Sequence, residues 1–125
     1  MRATVGHIEN LRPHPGADHM DVMDFVCPQY RTQIVTGRHY KNGERGLHIR
    51  EGEIVPDELA EEMLLLGRLA GRRKSRVKNK KMCGVDSNGI FYDQSGRYYR
   101  DTWRDGDELE FSVGEDGAIK IIEID

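Results

Sequence analysis

The stretch Pro56-Asp-Glu-Leu-Ala-Glu-Glu-Met-Leu-Leu-Leu-Gly67 contains the one helix that the sequence predicts. Its first two residues are typical of a helix start, and the glutamates that follow favour the positive end of the helix dipole. Leu59, Met63 and Leu66 recur at the i, i+4, i+7 spacing of a buried helix face. The stretch therefore predicts a helix over Asp57–Leu66 that the closing glycine ends.

Outside this helix the chain consists of short apolar or β-branched runs separated by turn residues. Runs of this kind before the helix are Arg2–Leu11, Met20–Cys27, Thr32–Thr36 and Leu47–Ile49. The dipeptides Asn42-Gly43 and Arg45-Gly46 predict the turn that precedes the last of them. After the helix, the apolar runs are Met82–Val85, Ile90–Tyr92, Gly106–Val113 and Ala118–Ile124. The last two alternate cleanly across a Gly-Glu-Asp-Gly turn and predict a hairpin.

Six or seven strands with one helix after the third or fourth of them match the element order of an OB-fold barrel. We therefore expect an all-β fold with one helix, built as an OB-fold-like five-stranded barrel plus an extra C-terminal hairpin. The sequence has no internal repeat and no long linker, so residues 1–125 are predicted to form a single domain.

The composition excludes several classes of protein. With 125 residues, 37% of them hydrophobic, the chain can bury roughly two thirds of its unfolded surface without a metal or disulfide. Its longest apolar run is Met63–Leu66, and its first residues lack the apolar stretch of a signal peptide, so we expect a cytoplasmic protein with no membrane contact. Cys27 and Cys83 form no Cys-x-x-Cys pair and are predicted to be reduced core residues.

The formal net charge of −3 conceals an uneven distribution of charge. Residues 101–125 carry a net charge of −7, whereas residues 1–100 carry +4. Seven of the ten residues in the segment 72–81 are basic: Arg72, Arg73, Lys74, Arg76, Lys78, Lys80 and Lys81. A concentrated positive field of this kind can attract a polyanion although the whole chain is acidic.

The alternation within this basic segment, residues 72–81, suggests a geometry for binding. If a strand covers Lys78–Met82, then Arg76, Lys78 and Lys80 share one face with a spacing of about 6.5–7 Å, which resembles the phosphate repeat of a polynucleotide. Two interpretations remain open. The segment either binds nucleic acid or is a solvated loop whose charges complement the end of the preceding helix.

Residue patterns typical of catalysis or metal binding do not occur in the sequence. The five histidines lack the spacing of a metal site, and Ser87 lacks the Gly-x-Ser-x-Gly setting of a serine nucleophile. No lysine stands in a Lys-x-Asp-Gly context, which a covalent nucleotidyl-transfer mechanism needs. We therefore expect no catalytic residue, no cofactor and no bound metal.

Two stretches resemble known families. The first is Ile8–Val22, which contains His14-Pro-Gly-Ala-Asp18, and it is followed by Gln33-Ile-Val-Thr-Gly37; together they are similar to the tRNA-binding domains of synthetase accessory modules. The second and more specific stretch is Gly67–Ile90. It resembles the N-terminal OB module of nick-sealing RNA ligases that carry a separate C-terminal nucleotidyltransferase domain.

The resemblance implies an OB barrel that binds RNA or an RNA-containing duplex. The positions that match are His14, Asp18, Gly37, Arg76, Lys78, Lys80, Ser87 and Gly89. Together with the charge argument they give the candidate nucleic-acid-binding residues, namely the seven basic residues of the basic segment with Arg38, Tyr40, His14 and Ser87. Tyr40 and Phe91 are candidate stacking partners for bases, with a core position as the alternative for each.

Three functions follow from these observations. The first is a non-catalytic RNA-binding module for tRNA, single-stranded RNA or nicked duplex. The second is the N-terminal substrate-binding domain of an RNA ligase, whose partner would be the ligase catalytic domain. The third is a protein-interaction barrel, in which the acidic C-terminal hairpin contacts the basic face of another copy and makes a homodimer.

Overall fold

A computed structural model describes residues 1–37 and 39–124 of the chain. These residues form nine strands and one helix, which are, in chain order, β1 (Arg2–Pro13), β2 (Asp21–Val26), β3 (Arg31–Thr36), β4 (Arg45–Ile49), α1 (Asp57–Glu62), β5 (Lys80–Met82), β6 (Val85–Ser87), β7 (Ile90–Asp93), β8 (Glu108–Val113) and β9 (Ile119–Ile124). The prediction of an all-β fold with one helix is confirmed. A helix of six residues is far shorter than the ~20 residues of a bilayer crossing, so no helix in the described ranges could span a membrane.

The first strand organises the sheet because it pairs with three others. Its C-terminal half pairs with β2, and its N-terminal half pairs with β4 and β8, all antiparallel. The register shifts between Glu9 and Arg12, where Asn10 has a φ of 51°. A bulge of this kind bends a strand and increases its twist. The run Arg2–Leu11 that the sequence predicts as a strand is confirmed as β1, and its bulge lies between Glu9 and Arg12.

Five strands form a continuous antiparallel path in the order β3-β2-β1-β4-β7, and β8 extends the sheet from β1 to β9. The two ends of the path approach each other through β6. The Val35 amide of β3 donates to the Ser87 hydroxyl at 3.0 Å, and the Asn88 amide donates to the Gln33 carbonyl at 2.9 Å. These contacts give the sheet a barrel-like arrangement.

Two separate apolar clusters pack against the sheet. One cluster contains Ile8, Met23 and Phe25. The other packs Leu47 and Leu59 with residues of β8 and the loop before it: Trp103, Leu109 and Phe111. The second cluster explains why the C-terminal hairpin belongs to the fold, since β8 covers apolar surface that would otherwise face water.

The helix is shorter than predicted. It ends at Glu62, because Leu64 takes a left-handed φ of 60° and the Leu65 amide turns back to the Ala60 carbonyl at 2.8 Å. The apolar spacing that predicted ten residues does not describe one buried face, since Leu59 is buried whereas Leu66 is exposed. The prediction that the helix reaches Leu66 is therefore wrong.

Two further predictions of local structure are wrong, whereas the hairpin is confirmed. Arg45 and Gly46 lie in β4 rather than in a turn, and they pair with β1. Cys83 is exposed, although Cys27 is buried and both thiols are free, as predicted. The C-terminal hairpin pairs β8 and β9 over six residues each, and its turn closes through the Gly114 amide and the Ala118 carbonyl at 2.9 Å.

Candidate nucleic-acid interface

The basic segment is held to the body of the protein by its backbone. The Val55 amide donates to the Ser75 carbonyl and the Val77 amide to the Glu53 carbonyl, both at 2.9 Å, and the Gly52 amide donates to the Val77 carbonyl at 2.8 Å. The Val77 side chain is 1% exposed and packs beside Leu59 and Val55 in the core. The segment is thus anchored chiefly by its backbone and by the buried Val77 side chain.

All seven basic side chains of this segment are exposed. Within residues 1–37 and 39–124, none of them forms an ion pair. One hydrogen bond is made by their charged groups, from the Arg76 guanidinium to the Gly52 carbonyl at 3.3 Å. Their charged groups therefore face solvent outside any ion pair with the described residues, although Glu51 contacts the Asn79 amide within the segment and Asp86 lies opposite Lys81.

The arginines of the β1–β2–β3 face provide a contrast. Arg31 reaches Asp24 at 2.8 Å and Glu9 at 3.0 Å, and Arg12 reaches Asp24 at 3.2 Å. Arg45 reaches Asp105 at 2.9 Å. The protein therefore pairs the exposed Arg31 and the half-buried Arg12 and Arg45 with carboxylates of its own, whereas no cation of the basic segment is paired among the described residues.

The strand predicted through the basic segment is wrong in extent. Strand β5 begins at Lys80 and not at Lys78, while Arg76 lies in isolated bridges to Ile54 and Ala70. Asn79 separates the two pairings, because its amide donates to Glu51 at 2.7 Å and its side chain accepts from the Gly89 amide at 2.8 Å. The three cations are exposed, but they do not form one row on one strand.

Of the other four cations of the basic segment, Lys81 lies in β5, where it pairs with Asp86 of β6, and Arg72, Arg73 and Lys74 lie in a turn. Residues 71–74 form this turn, with Gly71 at a φ of 89° and Lys74 at 57°, and the Lys74 amide donates to the Gly71 carbonyl at 3.2 Å. Arg72 and Arg73 occupy its exposed centre. Arg38 lies outside the described residues.

His14 and Ser87 are buried and hold the scaffold together. The His14 ring accepts from the Gly16 amide at Nδ1, at 2.9 Å, and donates from Nε2 to the Met82 carbonyl at 2.8 Å. The Ser87 hydroxyl accepts a hydrogen bond from the Val35 amide. His14 and Ser87, both buried, therefore fix the β5–β6 hairpin beside the sheet. Their polar atoms are occupied by these bonds.

A cleft of about 380 Å³ opens between the ends of the five-strand path and the end of α1, and we call it the β3–β7 cleft. Several residues singled out from the sequence line it: Tyr40, Lys80, Ser87 and Phe91. The Tyr40 hydroxyl donates to Asp93 at 2.8 Å, and its ring meets Phe91 edge to face with centroids 5.3 Å apart. Tyr40 and Phe91 are half-buried, and both rings line the cleft.

Sequence reasoning missed the rest of this lining. Met23 and Ile34 lie at its base, and Met63 and Met82 lie on opposite sides of it. Their apolar character is visible in the sequence, but it reads equally as ordinary core. Only the folded chain brings the end of the helix and the β5–β6 hairpin to the two sides of one cleft.

The Glu62 carboxylate has a structural role. Glu62 accepts from the Tyr92 hydroxyl and from the Arg97 amide, which ties the loop after β7 to the helix. Burial, followed by this hydrogen bond to Glu62, raises the pKa of the Tyr92 hydroxyl above its usual range. No group of three or more metal-ligating side chains occurs in the part of the chain that the structure describes.

Two histidines have shifted pKa values with opposite consequences. Burial opposes the charge of His7, but hydrogen bonds of 2.6 Å to Glu9 and to Asp105 outweigh it and raise the pKa of the ring above 6.5. Burial lowers the pKa of His48 below 6.5, where the Tyr30 hydroxyl donates to Nδ1 at 2.7 Å and Nε2 donates to the Asn88 carbonyl at 2.8 Å. Folding thus favours charged His7 and uncharged His48.

These shifts predict a stability maximum near pH 6.5. A histidine whose pKa is raised by folding stabilises the protein fully at pH values below its unfolded-state pKa, and this stabilisation is lost as pH rises through its folded-state pKa. His7 therefore lowers the free energy of unfolding on the alkaline side of the pH curve. A lowered histidine pKa contributes stability that is lost as pH falls below the unfolded value, so His48 gives an acid limb. Denaturant unfolding of His7→Gln should show a flatter alkaline limb, whereas His19→Gln, at an exposed position, should match the wild type. Parallel alkaline limbs for wild type and His7→Gln would contradict this account of His7.

Comparisons with known proteins find a similar fold in part of an RNA ligase. No protein-family model matches the chain, and no curated protein matches its sequence. An apo structure of a Naegleria gruberi RNA ligase variant matches with a TM-score of 0.64 and 18% identity, over 84% of this chain and 31% of the ligase chain. Another variant of that ligase, with ATP and Mn, matches with a TM-score of 0.65 and 17% identity, over 94% and 34%.

Similarity at this level of identity shows a shared fold. The chain spans about a third of the length of the ligase chains that it matches. The fold is therefore one that occurs as a part of an RNA ligase.

Proposed function

We propose that this chain is an OB-type RNA-binding module that serves as a substrate-binding domain of an RNA ligase. The observation that carries the proposal is the basic segment, whose seven exposed cations form no ion pair in the described part of the chain. The five-strand path closed through β6 supports the OB assignment. The shared fold with part of an RNA ligase supports the ligase context.

The physical basis of binding is the release of counterions from RNA phosphates. A cation that has no carboxylate partner in its own protein need not break an ion pair before it contacts phosphate. The backbone anchoring of residues 75–77 also holds the segment in place before RNA arrives, which lowers the entropy lost on binding. Contacts of this kind position a nucleic acid without reading its sequence.

A salt series tests this function. We expect labelled single-stranded RNA, tRNA and nicked duplex RNA all to bind, with affinities that fall as salt rises. If four or more cations of the segment contact phosphate, the slope of log affinity against log salt is about −3 or steeper. Preference for one RNA would identify the substrate class. Absence of binding to all three, or an affinity that does not depend on salt, would contradict the proposal.

The module is proposed to have no nucleotidyl-transfer activity of its own, because no lysine has the sequence context of a covalent nucleophile. Incubation with labelled ATP and a divalent cation, followed by denaturing electrophoresis, should leave the protein unlabelled. A stoichiometric AMP adduct on one lysine would contradict the proposal and would place ligase chemistry within this chain.

A further inference from the structure

The β3–β7 cleft has the features of a binding site and not only of a packing defect. Its volume of about 380 Å³ falls in the range of ~300–1,000 Å³ typical of small-molecule sites. Met23 and Ile34 close its base, while Met63 and Met82 form flexible apolar walls that can adapt to a flat guest. An apolar slot of this size suits one planar ring system with part of its sugar.

The aromatic side of the cleft is fixed in orientation. The Tyr40 hydroxyl is held by Asp93 at 2.8 Å, and the Tyr40 ring is braced edge-on against Phe91 at an interplanar angle of 80°. Phe91 is in turn braced by Phe25, with centroids 6.2 Å apart. A ring held in this way loses little conformational entropy when a base stacks on it.

The charged residues that line the cleft are Lys80, Glu62 and Asp93; the two carboxylates accept hydrogen bonds from the Tyr92 and Tyr40 hydroxyls, and Lys80 is the group that could contact a phosphate. Lys80 lines the cleft, is exposed, and forms no ion pair with any residue that the structure describes. Leu65 lies on the helix side of the cleft and Lys80 on the hairpin side, and the chain between them carries most of the basic segment. A nucleotide with its base in the apolar slot would therefore have the Lys80 ammonium available for its phosphate.

We propose that the β3–β7 cleft receives one unstacked base of an RNA strand, with Lys80 on the adjacent phosphate. This inference rests on the proposed RNA-binding function and adds to it a base-recognising site distinct from the phosphate contacts of residues 72–78. Single-stranded RNA is recognised by proteins through bases that leave the stack and lie against aromatic rings, whereas a base inside a duplex is not available for this contact. The cleft accordingly selects an unpaired nucleotide, such as one at a strand end or a gap.

The test is a methyl NMR titration of the intact chain, because methionine and isoleucine methyls report directly on the cleft. The first probe is a single-stranded RNA pentamer, compared with a fully abasic ribose-phosphate pentamer. The second probe is AMP, compared with ribose 5-phosphate. We expect the Met23, Met63 and Met82 methyls to shift with the base-containing member of each pair and to shift far less with the base-free member.

Two substitutions at one position separate stacking from structure. Tyr40→Leu fills the site with an apolar side chain but removes the ring, and we expect it to weaken pentamer binding by about 5- to 100-fold. Tyr40→Phe keeps the ring and loses the hydroxyl, so it should retain most of the affinity. The abasic pentamer should bind wild type and Tyr40→Leu equally.

The outcomes separate this site from the proposed function. If the cleft methyls do not respond to AMP or to the pentamer, or if base-free probes shift them equally, the base site is overturned; salt-dependent RNA affinity would still support binding through the basic segment. Occupation of the cleft by an apolar peptide but by no nucleotide would also overturn it. If salt-dependent RNA affinity is absent but AMP shifts the cleft methyls and ribose 5-phosphate does not, the cleft is a site for a free nucleotide, and both the proposed function and the assignment of an RNA strand to the cleft are overturned.

Discussion

Replacing Arg76, Lys78 and Lys80 together by alanine is expected to weaken RNA binding on the order of a hundredfold at moderate salt. Each lost phosphate contact removes about 1 kcal/mol of binding free energy and makes the salt slope shallower by roughly one unit, so the slope should flatten by about two to three units. The phosphate component of this loss should be the same for all RNA sequences, because phosphates carry no sequence information. Fluorescence anisotropy over a salt series measures both quantities.

The matched control removes the same charge elsewhere. Lys41, Arg104 and Lys120 are exposed and lie outside the basic segment, so the Lys41→Ala/Arg104→Ala/Lys120→Ala variant should keep the wild-type affinity to within a fewfold. Both variants should keep the wild-type Tm, because exposed cations without ion pairs contribute little to stability.

A folded Arg76→Ala/Lys78→Ala/Lys80→Ala variant with unchanged affinity and slope would show that the basic segment is a solvated surface. It would favour the protein-interaction barrel, in which the acidic C-terminal hairpin contacts the basic face of a second copy. Strand β9 would then be the surface to examine, since it pairs with β8 alone among the described strands and leaves Ile122 62% exposed.

The basic segment could be found from the sequence, but its unpaired state could not. Seven cations in ten residues are visible in the sequence and nearly always solvated. Whether they are neutralised depends on carboxylates brought close by the fold, as when Asp105 reaches Arg45 from 60 positions away. The charge run therefore predicts a surface, and the arrangement of distant acids decides whether that surface is free to bind.

The sequence singles out His14 and Ser87, but it does not reveal their structural roles. Both match positions in the resemblance to RNA-binding families, and both are buried with their polar atoms bonded to backbone. The bond from His14 to the Met82 carbonyl spans 68 positions, so no local pattern could reveal it. A polar residue that matches a motif can thus be recognised from sequence while its task, here fixing a hairpin, depends on its distant partner.

Local periodicity predicts where the strands lie, but it does not predict which strand positions require glycine. The C-terminal hairpin was predictable because two clean alternations flank a glycine turn. Gly46 was misassigned to a turn because glycine after a charged residue is typical of turns. In the fold Gly46 lies in β4 and pairs with Gly6 of β1. Glycine is required at position 46 because a Cβ there would overlap the Phe91 ring.

Gly46→Ala is the second substitution with a large expected effect. A Cβ at this position would lie 2.5 Å from Cζ of Phe91 and 2.5 Å from the Tyr92 carbonyl oxygen. The ring can move only at the expense of its contacts with Phe25, and the carbonyl belongs to β7, which pairs with β4. We expect a loss of about 3 kcal/mol in the free energy of unfolding, at the upper end of overpacking effects, measured by urea denaturation.

The control is Gly16→Ala, because a Cβ there meets its nearest atom, Cε1 of His14, at an ordinary 3.7 Å. That variant should unfold within about 0.5 kcal/mol of the wild type. Phe91→Leu in the Gly46→Ala background should recover part of the loss, so the two substitutions should be less than additive, and the strain that remains should come from the Tyr92 carbonyl. A Gly46→Ala variant as stable as the wild type would mean that Phe91 does not pack on this glycine. The braced aromatic side of the β3–β7 cleft depends on that packing, so such a result would also weaken the basis for base stacking on Tyr40.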